Sequence, residues 1–346
     1  MADRPHVNVN LFVHNSAATV GAAIESVLAQ SWPALSLTLI DDGSDDGTTE
    51  ILAGYSGRDR RIRITRNRVN GGAIANFQRA FWYGDADFVL PKSGDDLIAP
   101  DFIAQTMAVL LAYPGCAMCH ASGLLFTGDA DILGLYPPEH RLDAVGTDAV
   151  ARARHVMGRY TSSPSFWGVY RRSAVDRLAR IRHRAGWDHA LLAELALYGE
   201  IRHVPEPLYW RHQGGKPVLR LARTATERGS RGLAVEEALT EPHWRVPLIS
   251  TAVAHLETFA VAHVDDDVRA KVSAAVPEIF RARWLAPMRL EAAALRAALP
   301  ALYERAMRQD PWPGRWMRRG LDDLLHAVGL ILPEETFESL SPMRVA

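Results

Sequence analysis

Over its first hundred residues the chain repeats one pattern, an apolar run followed by a helical stretch, and this alternation constrains the fold more than any other feature. "HVNVNLFV" predicts a strand, Ala17 to Gln30 a helix, "LSLTLI" a strand, Thr48 to Ala53 a short helix and "RIRIT" a strand. Ala73 to Tyr83 then predicts a helix and "DFVLP" a fourth strand. Strict alternation of this kind implies an α/β fold with a mostly parallel sheet and helices on both faces, because parallel strands need helical crossovers. Ligands of such sheets bind beyond the carboxyl ends of the strands. The polar motifs fall at those ends: "HNSAAT" after the first strand, "DDGSDDGT" after the second, "NRVNGG" after the third and "SGDD" after the fourth. Four loops converging on one crevice is the arrangement expected of a nucleotide site.

From Pro114 to about Trp210 the pattern is mixed. "CAMCHASGLLF", "SFWGVY" and "IRHVPEPLYW" predict strands, with helices near Asp143 to Met157 and Trp187 to Tyr198. After "RHQGGKP" the composition turns to Ala, Leu, Arg and Glu with helical spacing, as in "LISTAVAHLETFAVAHV" and "APMRLEAAALRAAL". A boundary near Lys216 follows. It divides the chain into an α/β domain over 1–215 and a smaller α-helical C-terminal domain over 216–346.

The 346 residues carry a formal net charge of -1, which argues against broad nucleic-acid binding, since that needs a basic surface. No run reaches the roughly eighteen apolar residues of a membrane-spanning helix, and "MADRPHVNVN" lacks the basic-then-apolar order of a signal peptide. A cytoplasmic location is expected. Cys116 and Cys119 are the two cysteines, flanked by apolar residues on both sides, and are read as reduced thiols on a strand rather than as a zinc or redox pair.

Two acidic motifs carry the chemistry. "LIDDGSDDGT" ends an apolar strand on Asp41 and Asp42, with Gly43 for a tight turn. A carboxylate fixed there can accept hydrogen bonds from a nucleobase N–H or a ribose hydroxyl. The plainer alternative is an Asp-rich turn that caps a helix. A calcium loop counted from Asp42 fails, because its closing position is Ala53 and not Glu. In "LPKSGDDLIAP", Asp95 and Asp96 are adjacent, so on an extended chain their carboxylates diverge and one can face the crevice. A single carboxylate is enough for Mg2+ or Mn2+ when a diphosphate supplies further oxygens.

The run "NVNLFVHN...IESVLAQSWPALSLTLIDDGSDDGT", followed by "NGGAIANFQRAF", "SGDDLIAPDF" and "GWDHALLAELALYGEIRHVPEPLYWRH", resembles the bacterial family 2 glycosyltransferases of the GT-A fold. The likeness extends over about the first 215 residues. It implies an inverting hexosyl- or N-acetylhexosaminyl-transferase with a nucleotide-sugar donor, expected to be a UDP-sugar, and a Mn2+ or Mg2+ cofactor. The acceptor would be a glycan, lipid-linked or protein hydroxyl, as in polysaccharide biosynthesis. By position, Val13, His14 and Asn15 would lie against the nucleobase and Asp42 would contact uracil or ribose. Gly72 and Asn76 would border the ribose and diphosphate. The family's Asp-x-Asp signature is here Ser93-Gly94-Asp95, so Asp95 keeps the metal position while Ser93 offers a neutral contact to the ribose.

Asp188, in "AGWDHALLAE", matches the family's catalytic base, and His212, in "YWRHQGG", a position that meets metal or diphosphate. A base is needed because the acceptor hydroxyl must lose its proton as it attacks the anomeric carbon. Taken alone, Asp188 reads as a charge at a helix N-terminus. Arg211 and Lys216 are candidates to neutralise phosphate, while His189 and Glu194 are expected on the helix surface. The Trp- and Arg-bearing C-terminal helices are expected to form a core or a homodimer contact, ahead of peripheral attachment to a membrane. Two rivals stand beside transfer. A non-catalytic sugar-nucleotide or glycan-binding protein would explain Ser93. A nucleotidyltransferase would need a Gly-rich, basic phosphate loop after the first strand, which "HNSAAT" does not supply.

Overall fold

The structure is a computed structural model that describes residues 4–128, 131–159, 163–181, 186–213 and 247–298. These residues fall into two compact units. The first takes the chain through Arg152, then Arg159–Arg180 and the segment from Leu195; the second takes Ala153–Gly158, Ile181–Glu194 and the segment from Leu219. Lys216, and the stretch "PWPGRWMRRGLDDLLHAVGLIL", lie outside the described residues.

The first unit is built on strands β1 (Val7–Val13), β2 (Leu35–Asp41), β3 (Ile62–Arg66) and β4 (Phe88–Ser93), with helices α1 (Val20–Leu28), α2 (Thr48–Ser56) and α3 (Ala73–Trp82) between them. Pairing of β1 with β2 and β4, and of β2 with β3, is parallel throughout. Strand β5 (Leu97–Ile98) and helix α4 (Phe102–Ala112) follow. Next come β6 (Cys116–Phe126), β7 (Ile132–Leu135), helix α5 (Ala149–Arg159), β8 (Gly168–Arg171), the short helix α6 (Arg172–Val175), helix α7 (Trp187–Tyr198) and β9 (Glu200–His212). The sheet runs β3-β2-β1-β4-β8-β6-β9-β5, with β7 on β6. β8 is inserted antiparallel between β4 and β6, so the parallel half meets a second parallel pair, β6 with β9, across a reversed strand.

Alternation within β1 explains its two faces. Val7, Val9, Leu11 and Val13 are buried in the main apolar cluster with Val20, Ala23, Ile24 and Val27 of α1, whose spacing at i, i+3, i+4 and i+7 makes one helical face. Each such Val or Ile contributes about 1.5–3 kcal/mol on full burial. The intervening Asn8 and Asn10 are also buried, and they are satisfied by the far end of α3. Asn10 Nδ2 donates to the carbonyls of Ala80 (2.7 Å) and Tyr83 (3.0 Å), and Asn8 Nδ2 donates to Asn10 Oδ1 (2.8 Å). Carbonyls at a helix C-terminus lack intrahelical donors, and the two asparagines supply them.

Gly94 shows how closely the loops pack. A Cβ there would overlap Val13 Cγ1, so the bend after β4 accepts only glycine without moving β1. Both cysteines are buried and free on β6, and burial pushes the Cys116 thiol up to about 11 and that of Cys119 higher still. "SFWGVY" becomes a 3-10 turn over Ser163–Phe166 before β8 begins, because Phe166 and Trp167 turn inward onto Phe77 instead of continuing a ladder.

The second unit contains helices α8 (Pro247–Val261) and α9 (Asp266–Ala298), which pack on one another. His189 and Glu194 correct the expectation of surface positions: they are 6% and 1% exposed. Helix α7 buries apolar residues on several sides, Ala190 to Ala193 and Leu195 to Leu197, and His189 and Glu194 are carried inward with them. His189 Nδ1 instead meets His255 Nε2 at 2.5 Å. Among the described residues no helix is long and apolar enough to cross a membrane.

Candidate active site

The four loops at the carboxyl ends of β1 to β4 are tied to one another by named hydrogen bonds. Asp41, fully buried, holds its own turn: its Oδ1 accepts from Ser44 N (3.0 Å), and its Oδ2 accepts from Thr49 Oγ1 (2.7 Å) and meets Arg66 Nε (3.2 Å). Asp42 reaches the next loop. Its carboxylate accepts from Asn67 Nδ2 (2.6 Å), Gly71 N (2.9 and 3.1 Å) and Gly72 N (3.1 Å). The positive φ of Gly72, +85°, turns both N–H groups toward that carboxylate, a conformation that favours glycine.

The first loop closes the circuit. His14 Nδ1 lies 3.0 Å from the Asp42 carbonyl and Nε2 lies 2.8 Å from Asn70 Nδ2. Asn70 Oδ1 accepts from Gly72 N (2.7 Å), which fixes that amide with its nitrogen toward the ring, so His14 accepts at Nε2 and donates from Nδ1. Asn15, the one non-glycine residue with positive φ among those described, exchanges hydrogen bonds with Asp45 through its side-chain amide (2.9 and 3.0 Å). Thr19 Oγ1 donates to the carbonyl of Gly94 (3.1 Å), joining this loop to the one after β4.

In that last loop the adjacent acids part. Asp96 turns inward, where its Oδ2 accepts from Tyr209 OH and its Oδ1 from His212 N (2.9 Å). Burial first, and the neighbouring charge of Asp95 second, push its carboxyl up to about 6. Lys92 lies fully buried beneath the turn and donates from Nζ to the carbonyls of Ser93 (3.1 Å) and Asp96. Burial lowers its ammonium to about 8, against the opposing pull of Asp96 and Asp95. Asp95 stays half-buried, with its Oδ1 accepting from Ser93 Oγ.

The structure therefore brings Val13, His14, Asn15, Asp42, Gly72, Asn76, Ser93, Gly94, Asp95 and His212 into the first unit, ten of the eleven candidate residues. The eleventh, Asp188, lies in the second unit, in the first turn of α7. Asn76 is 3% exposed and its Oδ1 is buried with no hydrogen-bond partner. Arg211 donates from Nη1 to Tyr136 OH at 3.3 Å. Lys92, Tyr209 and Asn70 were not singled out from sequence. A lone Lys in the apolar run "FVLPKS" was the available sign for the first.

Residue types decide what cation this loop can take. Among the described residues no three or more His, Cys, Asp or Glu side chains gather as a complete metal site. Asp95 is the one carboxylate of the Asp95-Asp96 pair not turned inward, while His212 gives its backbone N–H to Asp96 and packs its ring on Phe126. That donor set fits a hard divalent cation whose remaining ligands come with a diphosphate.

Residues 9–121 match the family model described as Glycosyl transferase family 2. The chain carries a family 2 glycosyltransferase domain. The glycosyltransferase domain is similar to EpsE of Bacillus subtilis, which bears a glycosyltransferase name, at 32% identity over 32% of this chain and 40% of that protein. EpsH of the same organism is 24% identical over 60% of this chain and 55% of its own length. The chain thus spans about half the length, or less, of these relatives. Among solved structures, S. aureus TarS 1-349 in complex with UDP-GlcNAc superposes with a TM-score of 0.59 at 15% identity, covering 93% of this chain and 81% of that one. The glycosyltransferase domain shares that GT-A fold.

Proposed function

We propose that the chain is an inverting glycosyltransferase that moves a sugar from a nucleotide-sugar donor, a UDP-sugar first among them, to a hydroxyl of a glycan, lipid-linked or protein acceptor. The observation that carries this reading is the division of labour after β4. Asp96 is spent on Tyr209 and His212, which leaves Asp95 to face a ligand in the loop cluster. The family match and the UDP-GlcNAc held by TarS support the donor class.

In this reading Val13, His14 and Asn15 flank the nucleobase, and Asp42 serves the uracil or ribose while it holds the Gly71-Gly72 turn. Gly72 and Asn76 border the ribose and diphosphate. Ser93 and Gly94 line the ribose side. Asp95 and His212 would hold Mn2+ or Mg2+. Bound there, such a cation would offset the charge of the departing diphosphate, which could then leave without protonation.

The acceptor oxygen bonds to the anomeric carbon from the face opposite the diphosphate while the carbon–oxygen bond to the diphosphate breaks. The diphosphate keeps that electron pair, the hydroxyl proton passes to Asp188, and the single displacement inverts the anomeric centre. Lys92 stays inside the fold and orients the turn through two backbone carbonyls.

Calorimetry of UDP, GDP and dTDP with and without Mn2+, on the wild type and on Asp95→Ala, tests the reading. One nucleotide is expected to bind with a metal dependence that Asp95→Ala removes. Equal affinity in the variant would remove Asp95 from the site. Binding of none of the three would overturn the donor assignment.

A further inference from the structure

A cavity lies at the end of the strands opposite the loop cluster. About 720 Å3 in volume, it is lined at the amino ends of β1 to β4 by His6, Ser36, Thr38, Tyr83, three arginines (Arg60, Arg61, Arg63) and two aspartates (Asp85, Asp87). Strand β1 has seven residues, so this cavity is about 20 Å from the loop cluster. Among the described residues α3 packs chiefly against β1 and β4, which leaves the amino ends of β2 and β3 open beside it. The residues there are polar: Thr38 pairs in register with Asn10 and Arg63, and Ser36 with Asn8.

Its rim charges make few contacts within the protein: Arg60 acts on Asp59 and Asp85 on Arg172 through their charge, without forming ion pairs. Arg61 is paired with Asp59 at 2.7 Å, but Arg60 and Arg63 are exposed and make no ion pair or hydrogen bond among the described residues. Asp85 and Asp87 are exposed on the far rim. The sheet order β3-β2-β1-β4 puts three strand spacings, about 14 Å, between the arginine rim and the aspartate rim, and no ion pair joins them among the described residues. Between them, Thr38 is 2% exposed yet its hydroxyl has no partner among the described residues. His6 Nε2 is engaged with Ser36 Oγ at 3.0 Å.

We propose that this cavity is a binding site for a short acidic oligosaccharide, distinct from the transfer site and independent of the transfer chemistry. Two guanidinium groups suit a carboxylate or phosphate substituent. Two carboxylates and the Thr38 hydroxyl suit sugar hydroxyls, and the Tyr83 ring offers an apolar surface to a pyranose. The volume lies in the range of small-molecule sites, about 300–1,000 Å3, and the 14 Å between rims asks for more than one sugar ring.

The test is calorimetry on the full chain with a uronic-acid-containing tetrasaccharide, its carboxyl-reduced neutral counterpart and inorganic phosphate, using wild type and Arg60→Gln/Arg63→Gln. Both arginines are exposed, so the double variant should fold, and unchanged UDP affinity in the crevice confirms it. The acidic tetrasaccharide is expected to bind the wild type at about millimolar affinity or tighter. The double variant and the neutral oligosaccharide should each weaken binding at least tenfold. No binding to the wild type, or equal affinity in the double variant, would overturn the proposal. Phosphate binding as tightly as the tetrasaccharide would overturn its saccharide part.

Discussion

Replacing Asp96 with Asn should change how the stability of the protein depends on pH, with a sign that the buried position dictates. The carboxyl ordinarily titrates at 3.8 and is raised to about 6 in the fold. Between those values the folded chain keeps a proton that the unfolded chain gives up. The associated stability is fully present below about pH 4 and is lost as pH rises through about 6. A rise of about two pH units corresponds to roughly 3 kcal/mol, and the group is fully buried, so no solvent screening reduces it. Asn cannot titrate and still offers its oxygen to His212 N, while its amide can donate to Tyr209, whose hydroxyl accepts as well as donates. Urea unfolding of wild type and Asp96→Asn, followed by Trp fluorescence from pH 4.5 to 8, measures the difference. Taking the difference cancels the other titrating groups. The variant should gain about 2 kcal/mol relative to wild type across that interval, the remainder lying below pH 4.5. Parallel curves would mean that Asp96 is not held neutral in the fold, and the account of the inward-turned acid would fail.

Asp188→Asn should lower kcat by about 10²- to 10⁴-fold with donor affinity unchanged, since the substitution removes a proton acceptor but no donor contact; a drop in donor affinity of the same size would point to a binding role instead. Asp42→Ala should cost about 2–4 kcal/mol in thermal unfolding, because it takes the carboxylate away from the Gly71 N–H and the Asn67 amide and leaves Gly72 N with Asn70 Oδ1 alone. Nucleotide affinity should fall with it, and an unchanged melting temperature would refute the clamp. Asp95→Ala should leave unfolding nearly unaffected, because the half-buried carboxylate holds one hydroxyl, that of Ser93; a large loss of stability would show that it serves the fold rather than a ligand.

The parallel half of the sheet was legible in the sequence because each strand is short, apolar and followed at once by a polar turn. The residues that gather at the strand ends could be named for the same reason. What stayed hidden depends on distant chain. β5 is two residues long and exists through its pairing with Trp210 and Tyr209, more than a hundred positions away. The reversed strand β8 carries no local mark of its direction. His189 and Glu194 read as surface positions because they are polar, yet both are buried with the apolar residues between them. The inward rotation of Asp96 could be foreseen only as one of two options, since adjacent carboxylates diverge on any extended chain. Which one turns inward is decided by Tyr209.

The loop cluster is stitched by contacts between residues far apart in the chain. His14 and Asp42 are 28 positions apart, His14 and Asn70 56, Thr19 and Gly94 75, and Asp96 and His212 116. Local contacts form early in folding, whereas closures of this length wait until most of the loop entropy has been surrendered. Nucleotide recognition should therefore emerge abruptly and late on the folding pathway, after the strands have found their order. On the proposed reading, a nascent or partly unfolded chain would have recognisable helices and no affinity for a donor.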